Sequence, residues 1–276
     1  MTDPAASEVP ASPTEGAIRL YGKDDFEGMR RAGRIASGCL DAVADLVKPG
    51  ITTNELDRFV MDYTLKAGAL PAQLNYRGYP KNICTSINHV VCHGIPDDKP
   101  LREGDVVNID VTMILDGYYG DSSRMYPVGQ IKRAAERLCE VTYRCLMLGI
   151  EAVRPGAHLG DIGAAIQQYA EAERCSVVRD FCGHGIGTVF HDAPNVMHYG
   201  RKGEGPQLKP GMIFTIEPMI NLGRPDVKVL KDGWTAVTRD RSLSAQYEHT
   251  IGVTETGVEI FTLSQAGLHA PGLSLA

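Results

Sequence analysis

No apolar run in this chain approaches the roughly 20 residues that a membrane-spanning helix needs. Basic residues are not in excess: Lys and Arg number 28 against 34 Asp and Glu, a net charge of −6. A nucleic-acid-binding surface would normally be basic, so no such specificity is expected. The seven cysteines (39, 84, 92, 139, 145, 175 and 182) are odd in number, and no two form Cys-x-x-Cys. Zinc-finger and thioredoxin readings therefore lack support, and reduced thiols in a cytosol fit the pattern. Gly-x-Ser-x-Gly and His-Glu-x-x-His are both absent, which removes the serine-hydrolase and helical zinc-protease readings. The first 16 residues hold no Lys, no Arg and no apolar core, so they make neither a secretory signal nor a transit peptide. Their Pro, Ala, Ser, Thr and Glu content predicts a disordered tail, drawn over residues 1–20, with a second tail over 265–276.

Between the tails, composition is that of a globular protein with a sizeable core, 43% hydrophobic and 22% charged. A single domain over 21–264 is expected. Apolar residues at helical spacing (Phe26, Met29, Ala36, Leu40, Val43) predict a helix over 24–47, stopped at Lys48-Pro49-Gly50. Thr53 then caps a helix over 54–66. The pattern returns over 131–153, stopped at Arg154-Pro155-Gly156, with a further helix over 159–173. The two Pro-Gly pairs are 106 residues apart, and two Gly-led strands starting at Gly104 and Gly211 are 107 apart. One offset holding across a helix stop and a strand start reads as an internal repeat: a duplicated α+β unit folded about a cleft.

The strands carry the chemistry. Gly104-Asp-Val-Val-Asn-Ile-Asp110 and Gly211-Met-Ile-Phe-Thr-Ile-Glu217 each place a carboxylate six residues after the glycine. Asp116-Gly117 is a type I′ hairpin signal, since both positions need positive φ. That turn sets Leu115 opposite Tyr118, Met113 opposite Gly120 and Thr112 opposite Asp121, so Asp110 and Asp121 become diagonal neighbours on one face. Apolar Val107, Ile109, Val111 and Met113 mark the other face as buried. Two unpaired carboxylates on a buried face repel and desolvate at a cost of several kcal/mol, which a cation removes. A solvated hairpin face without a metal is the alternative at this point. In the second half, Val227–Val237 reads as a hairpin turning at Asp232-Gly233, and Ala245–Val253 alternates as one strand with Gln246, Glu248 and Thr250 on one face. His184 lies among Gly183, Gly185 and Gly187, where backbone can approach a bound ion. Oxygen-rich ligation with one imidazole suits Mn2+ or Fe2+, and Co2+ in vitro.

At these residues the chain resembles the type I methionine aminopeptidases over roughly 21–262. The matching motifs are Ile87-Asn-His-Val-Val-Cys-His93-Gly-Ile-Pro96, Val107-Asn-Ile-Asp110, Asp116-Gly-Tyr-Tyr-Gly-Asp121, Cys182-Gly-His184-Gly-Ile-Gly187, Phe214-Thr-Ile-Glu217-Pro218 and Gln246-Tyr-Glu248-His249-Thr250. The resemblance implies the pita-bread α+β fold, two pseudo-symmetric halves around a central antiparallel sheet. It implies two divalent metal ions held by Asp110, Asp121, His184, Glu217 and Glu248, with Asp121 and Glu248 shared between them. Glu217 would double as general base. His93 and His191 would touch substrate, and Tyr76, Tyr79, Cys84, Phe190 and Trp234 would line a methionine pocket. Gln73 stands at a pocket position where the resemblance implies a smaller residue, and His89 where an acid is frequent.

The implied activity is removal of the initiator methionine from nascent proteins with a small second residue, in the cytoplasm, by a monomer that visits the ribosome transiently. Met1-Thr2 is itself such a substrate. Glu217 and Glu248 lie 31 residues apart, too close for the helical insertion typical of type II relatives. A prolidase or Xaa-Pro aminopeptidase shares this fold and ligand set but usually carries a large extra N-terminal domain. A non-catalytic binding protein of the same fold would have lost ligands, and all five are present.

Overall fold

The structure is a computed structural model that describes residues 17–270 and 273–274. Two helices, α1 (Lys23–Val43) and α2 (Thr53–Lys66), lead into β1 (Leu70–Pro71), β2 (Cys84–Ile87), β3 (Val90–Cys92), β4 (Val106–Leu115) and β5 (Tyr118–Pro127). A second helix pair, α3 (Arg133–Glu151) and α4 (Leu159–Ala172), precedes β6 (Ser176–Val177), β7 (Gly183–Gly185), β8 (Asp192–Val196) and β9 (Ile213–Ile216). The chain then forms β10 (Met219–Asn221), β11 (Val227–Val229), β12 (Ala236–Thr238), β13 (Ser244–Gln246), β14 (Glu248–Val253) and β15 (Val258–Ile260). It ends with β16 (Leu268–Ala270) and β17 (Leu273–Ser274).

A nine-stranded sheet runs in the order β1-β4-β5-β14-β9-β7-β8, with β2 also on β4 and β15 also on β14. Its pairings are antiparallel. At its centre β5 pairs with β14, flanked by β4 on one side and β9 on the other. The duplication read from the 106-residue and 107-residue offsets is therefore the symmetry of the sheet. Gly104 and Gly211 share a left-handed conformation, φ 88° and 91°.

Each half packs a helix pair on the sheet. Leu40 and Val43 of α1 and Leu56 and Val60 of α2 bury against Val107, Ile109, Val111 and Met113 of β4. Leu138 and Leu146 of α3 and Ile162 and Ile166 of α4 bury against Phe214 and Ile216 of β9 and Ile251 and Val253 of β14. Both helix pairs present an apolar stripe to alternate strand residues. The opposite sheet face is left for polar side chains.

The β4–β5 register is the one expected: Leu115 opposite Tyr118, Met113 opposite Gly120, Thr112 opposite Asp121. Asp116 and Gly117 both have positive φ, 50° and 83°, as a type I′ turn requires. Four expectations need correction. Thr52, not Thr53, caps α2: its side chain accepts from the Glu55 amide, while Glu55 returns to the Thr52 amide. The stretch 245–253 is two strands, because the chain breaks at Tyr247 and β13 leaves for a small sheet with β10 and β6. The turn between β11 and β12 spans more than Asp232-Gly233. The Leu230 amide donates to the Thr235 carbonyl, and the Asp232 carboxylate accepts from the Trp234 and Thr235 amides. The N-terminal tail is shorter than composition predicts. Residues 1–16 lie outside the described residues, whereas Ile18 packs against the second-half core and the Tyr21 amide bonds the Gly211 carbonyl. Residues 268–270 and 273–274 pair as β16 and β17.

Candidate metal centre

The polar face of the central sheet forms the floor of a cavity of about 390 Å³. β4 brings Asp110, β5 brings Asp121, β7 brings His184, the end of β9 brings Glu217 and the start of β14 brings Glu248. All five expected ligand residues line this cavity. Asp121, His184 and Glu248 offer ligand atoms lying within 4.8 Å of one another. They are 4%, 7% and 3% exposed. Asp110 and Glu217 are half-buried and border the trio.

Hydroxyl and amide side chains hold these groups. Thr112 Oγ1 donates to Asp121 Oδ1 at 2.8 Å, and Thr215 Oγ1 donates to Glu217 Oε1 at 2.8 Å. Gln246 Nε2 donates to Glu217 Oε2 at 3.2 Å. Glu248 Oε1 is fully buried, and no hydrogen-bond donor reaches it among the described residues. The His184 Nδ1 lies 3.1 Å from the Gly185 carbonyl, which can only accept, so Nδ1 carries the proton. Its Nε2 lone pair then faces Asp121 Oδ2 and Glu217 Oε1, each at 3.6 Å. Donors bound to one ion at about 2.0–2.2 Å sit roughly 3–4 Å apart, so this spacing fits a shared cation.

His184 reaches this position because two glycines let β7 approach its neighbours. A Cβ on Gly183 would lie 2.3 Å from the Thr215 carbonyl oxygen, and one on Gly185 would lie 2.0 Å from that of Ala193.

The electrostatics of the protein alone are unfavourable. Burial, chiefly, lifts Asp110 to about 7 and Glu217 to about 8. Burial plus the neighbouring carboxylates pushes Asp121 and Glu248 well above the usual range. Burial also lowers His184 to about 4, so it stays a neutral ligand. Converging carboxylates, a neutral imidazole and an unpartnered carboxylate oxygen are a donor set that a divalent cation completes.

Above the floor, the expected substrate residues are brought together. His191 stacks on Tyr76 at 5.1 Å and lies 4.1 Å from the His184 ring. Phe190 sits 4.7 Å from Tyr76, and Trp234 packs edge-on to Tyr79 at 5.0 Å and to His93 at 6.1 Å. Cys84 is buried beside them on β2, its thiol pushed well up by burial. His93 is lowered to about 4 by burial. His89 lies apart from the cavity lining. Its carbonyl accepts from the Thr238 amide. Two contributors were not expected from sequence. Phe181 packs on His93 at 5.4 Å, and its only signal was adjacency to Cys182. His198 is fully buried, and its Nε2 accepts the Glu217 amide at 3.0 Å. A lone histidine between Met197 and Tyr199 carries no pattern that would reveal this role.

Comparison with known proteins agrees with this geometry. Residues 27–255 match the model of metallopeptidase family M24. The chain is 60% identical over 255 residues to the methionine aminopeptidase of Rickettsia prowazekii, covering 92% of this chain and 98% of that relative. The crystal structure of the Rickettsia prowazekii enzyme superposes with a TM-score of 0.89 over 90% of this chain and all of that one. The methionine aminopeptidase of Thermotoga maritima, 38% identical, superposes with a TM-score of 0.88 over 89% of this chain and 99% of that one. A prolidase from Pyrococcus furiosus, 21% identical, shares the fold with a TM-score of 0.71 over 89% of this chain and 66% of its own. The chain belongs to metallopeptidase family M24, and within it to the type I methionine aminopeptidases.

Proposed function

We propose that this enzyme removes the initiator methionine from newly made polypeptides with a small second residue, using two divalent ions held by Asp110, Asp121, His184, Glu217 and Glu248. The observation that carries this is the buried Asp121–His184–Glu248 cluster, whose carboxylates are raised by burial and then by mutual repulsion, and whose Glu248 Oε1 lacks a partner among the described residues. Mn2+ or Fe2+ suits the oxygen-rich set, with Co2+ active in vitro. Ions bound there would hold the free amino group and supply the Lewis acidity that brings a water's pKa toward neutrality. Glu217, held through both oxygens by Thr215 and Gln246, takes the proton of the attacking water.

His191, lowered far below its usual range by burial and by His184, is a neutral imidazole that can donate to the developing oxyanion. His93 is likewise neutral and donates to the scissile amide as the leaving group departs. Tyr76, Tyr79, Cys84, Phe190 and Trp234 enclose the side chain, and sulfur–ring contacts of about 0.3–1.5 kcal/mol favour a thioether. Required capture of the amino group makes the reaction exopeptidic. We place this activity in the cytoplasm, carried out by a monomer with transient access to the ribosome. No helix among the described residues is long and apolar enough to cross a membrane.

The substrate panel Met-Ala-Ser, Met-Lys-Ser and Ala-Pro tests the proposal on the metal-loaded enzyme. Methionine released from Met-Ala-Ser alone is the expected result. Release from Met-Lys-Ser would refute the small-residue requirement, and cleavage of Ala-Pro would move the enzyme to prolidase chemistry.

A further inference from the structure

The outer edge of β4 has a break in its ladder. β1 pairs with Met113 and Ile114, and β2 pairs with residues from Val107 to Asp110. Between these partners the Asp110 carbonyl and the Thr112 amide face a gap. Gln73, 6% exposed, fills it with its side chain. Its Nε2 donates to the Asp110 carbonyl at 3.1 Å, and its Oε1 accepts the Thr112 amide at 3.2 Å. The side-chain amide thus stands in for a missing strand residue. The same Nε2 donates to the Asp110 carboxylate, to Oδ1 at 3.0 Å. Both amide protons and the carbonyl are engaged. No other hydrogen bond reaches the Asp110 carboxylate among the described residues, so Oδ2 is its free oxygen. Asp110 also stands outside the compact Asp121–His184–Glu248 trio.

We infer that Gln73 is a positioning residue for one of the two ions. It fixes the Asp110 carboxylate through Oδ1, leaves Oδ2 to the cation, and so sets the affinity of the ion that depends on Asp110. The inference rests on the two-ion reading above. A patch that only completed the strand ladder would act on the fold, or on both ions together. A clamp on Asp110 acts on one binding step. Groups that orient a ligand from behind typically alter metal affinity 10–100-fold when removed.

Calorimetric titration of Mn2+ into the metal-stripped full chain tests this, using wild type, Gln73→Met, Asp110→Asn and the double variant. Methionine keeps the length and removes the amide. The wild type is expected to show two steps. Gln73→Met should weaken the weaker step by about 10–100-fold and leave the tighter one unchanged. Asp110→Asn should lose the weaker step, and the double variant should match Asp110→Asn. A folded Gln73→Met with both steps unchanged, or with both weakened alike, would overturn the inference. A wild type that binds one ion would instead overturn the two-ion reading beneath it. If Gln73→Met does not fold, wild-type protein with 15N-labelled glutamine side chains is titrated with Zn2+. The Gln73 amide signals should move at the second equivalent, and signals unmoved through both would overturn the clamp.

Discussion

Stripping metal from this enzyme should make its stability fall as pH rises through neutrality. Asp121 and Glu248 are buried, and their proton affinities in the metal-free fold lie well above the usual carboxylate range. A group whose folded pKa is raised favours the folded state at low pH. Its contribution is lost as pH climbs from the unfolded value near 4 toward the folded one. Each carboxyl that keeps its proton in the fold but not in the unfolded chain removes about 1.4 kcal/mol per pH unit. Asp121 and Glu248 both act in this sense as pH rises. Glu217, at about 8, acts in the same direction and alone removes about 1 kcal/mol between pH 7 and 8, a sizeable part of a typical 5–15 kcal/mol.

The buried histidines act in the opposite sense. His93 and His184 are held at about 4 and His198 at about 3, so unfolding gains protons as pH falls below the unfolded value near 6.5. The carboxylate effect is therefore read cleanly above pH 7. The assay is urea unfolding in a chelator at pH 7.0, 7.5 and 8.0, repeated with saturating Mn2+. Metal displaces the protons, so the slope should flatten when metal is present. A metal-free protein whose stability is level or rises from pH 7 to 8 would refute the reasoning.

His191→Ala should lower kcat by about 10²–10³ with little change in KM, since its interaction strengthens in the transition state. A pure KM effect, seen in steady-state kinetics on Met-Ala-Ser, would argue against that role. Gly183→Ala forces a Cβ to within 2.3 Å of the Thr215 carbonyl. It should cost about 1–3 kcal/mol in urea unfolding and weaken Mn2+ binding by moving His184, and an unchanged affinity would contradict the placement. The enzyme should process its own Met1-Thr2 start, so intact mass spectrometry of the expressed protein should show the methionine absent.

The β4–β5 hairpin was legible because local rules determine it. Asp116-Gly117 sets the turn, the turn sets the register, and the register puts Thr112 opposite Asp121. The duplication was legible because a single offset recurs at two kinds of boundary. The break at Tyr247 was not, because alternation continues through it, and only the departure of β13 to a separate sheet separates the strands. Similarly, residues 17–20 (Ala-Ile-Arg-Leu) are too few to show a periodicity of their own, yet Ile18 finds a core surface supplied by distant chain. The ligand types could be listed from sequence with the resemblance in hand. Their support could not: His198 holds the Glu217 amide and Gln73 holds Asp110 across 37 residues of chain, and neither contact leaves a periodic trace.

Counting bound ions and methionine release in one sample tests the central claim most directly. Metal-stripped enzyme is given Mn2+ stepwise under anaerobic conditions, and bound metal and release from Met-Ala-Ser are measured at each step. The account predicts no release from the stripped enzyme and activity that rises with occupancy of the Asp121–His184–Glu248 cluster. Full activity in the stripped enzyme, or bound metal with no activity and no loss of binding in Asp121→Asn, would contradict it.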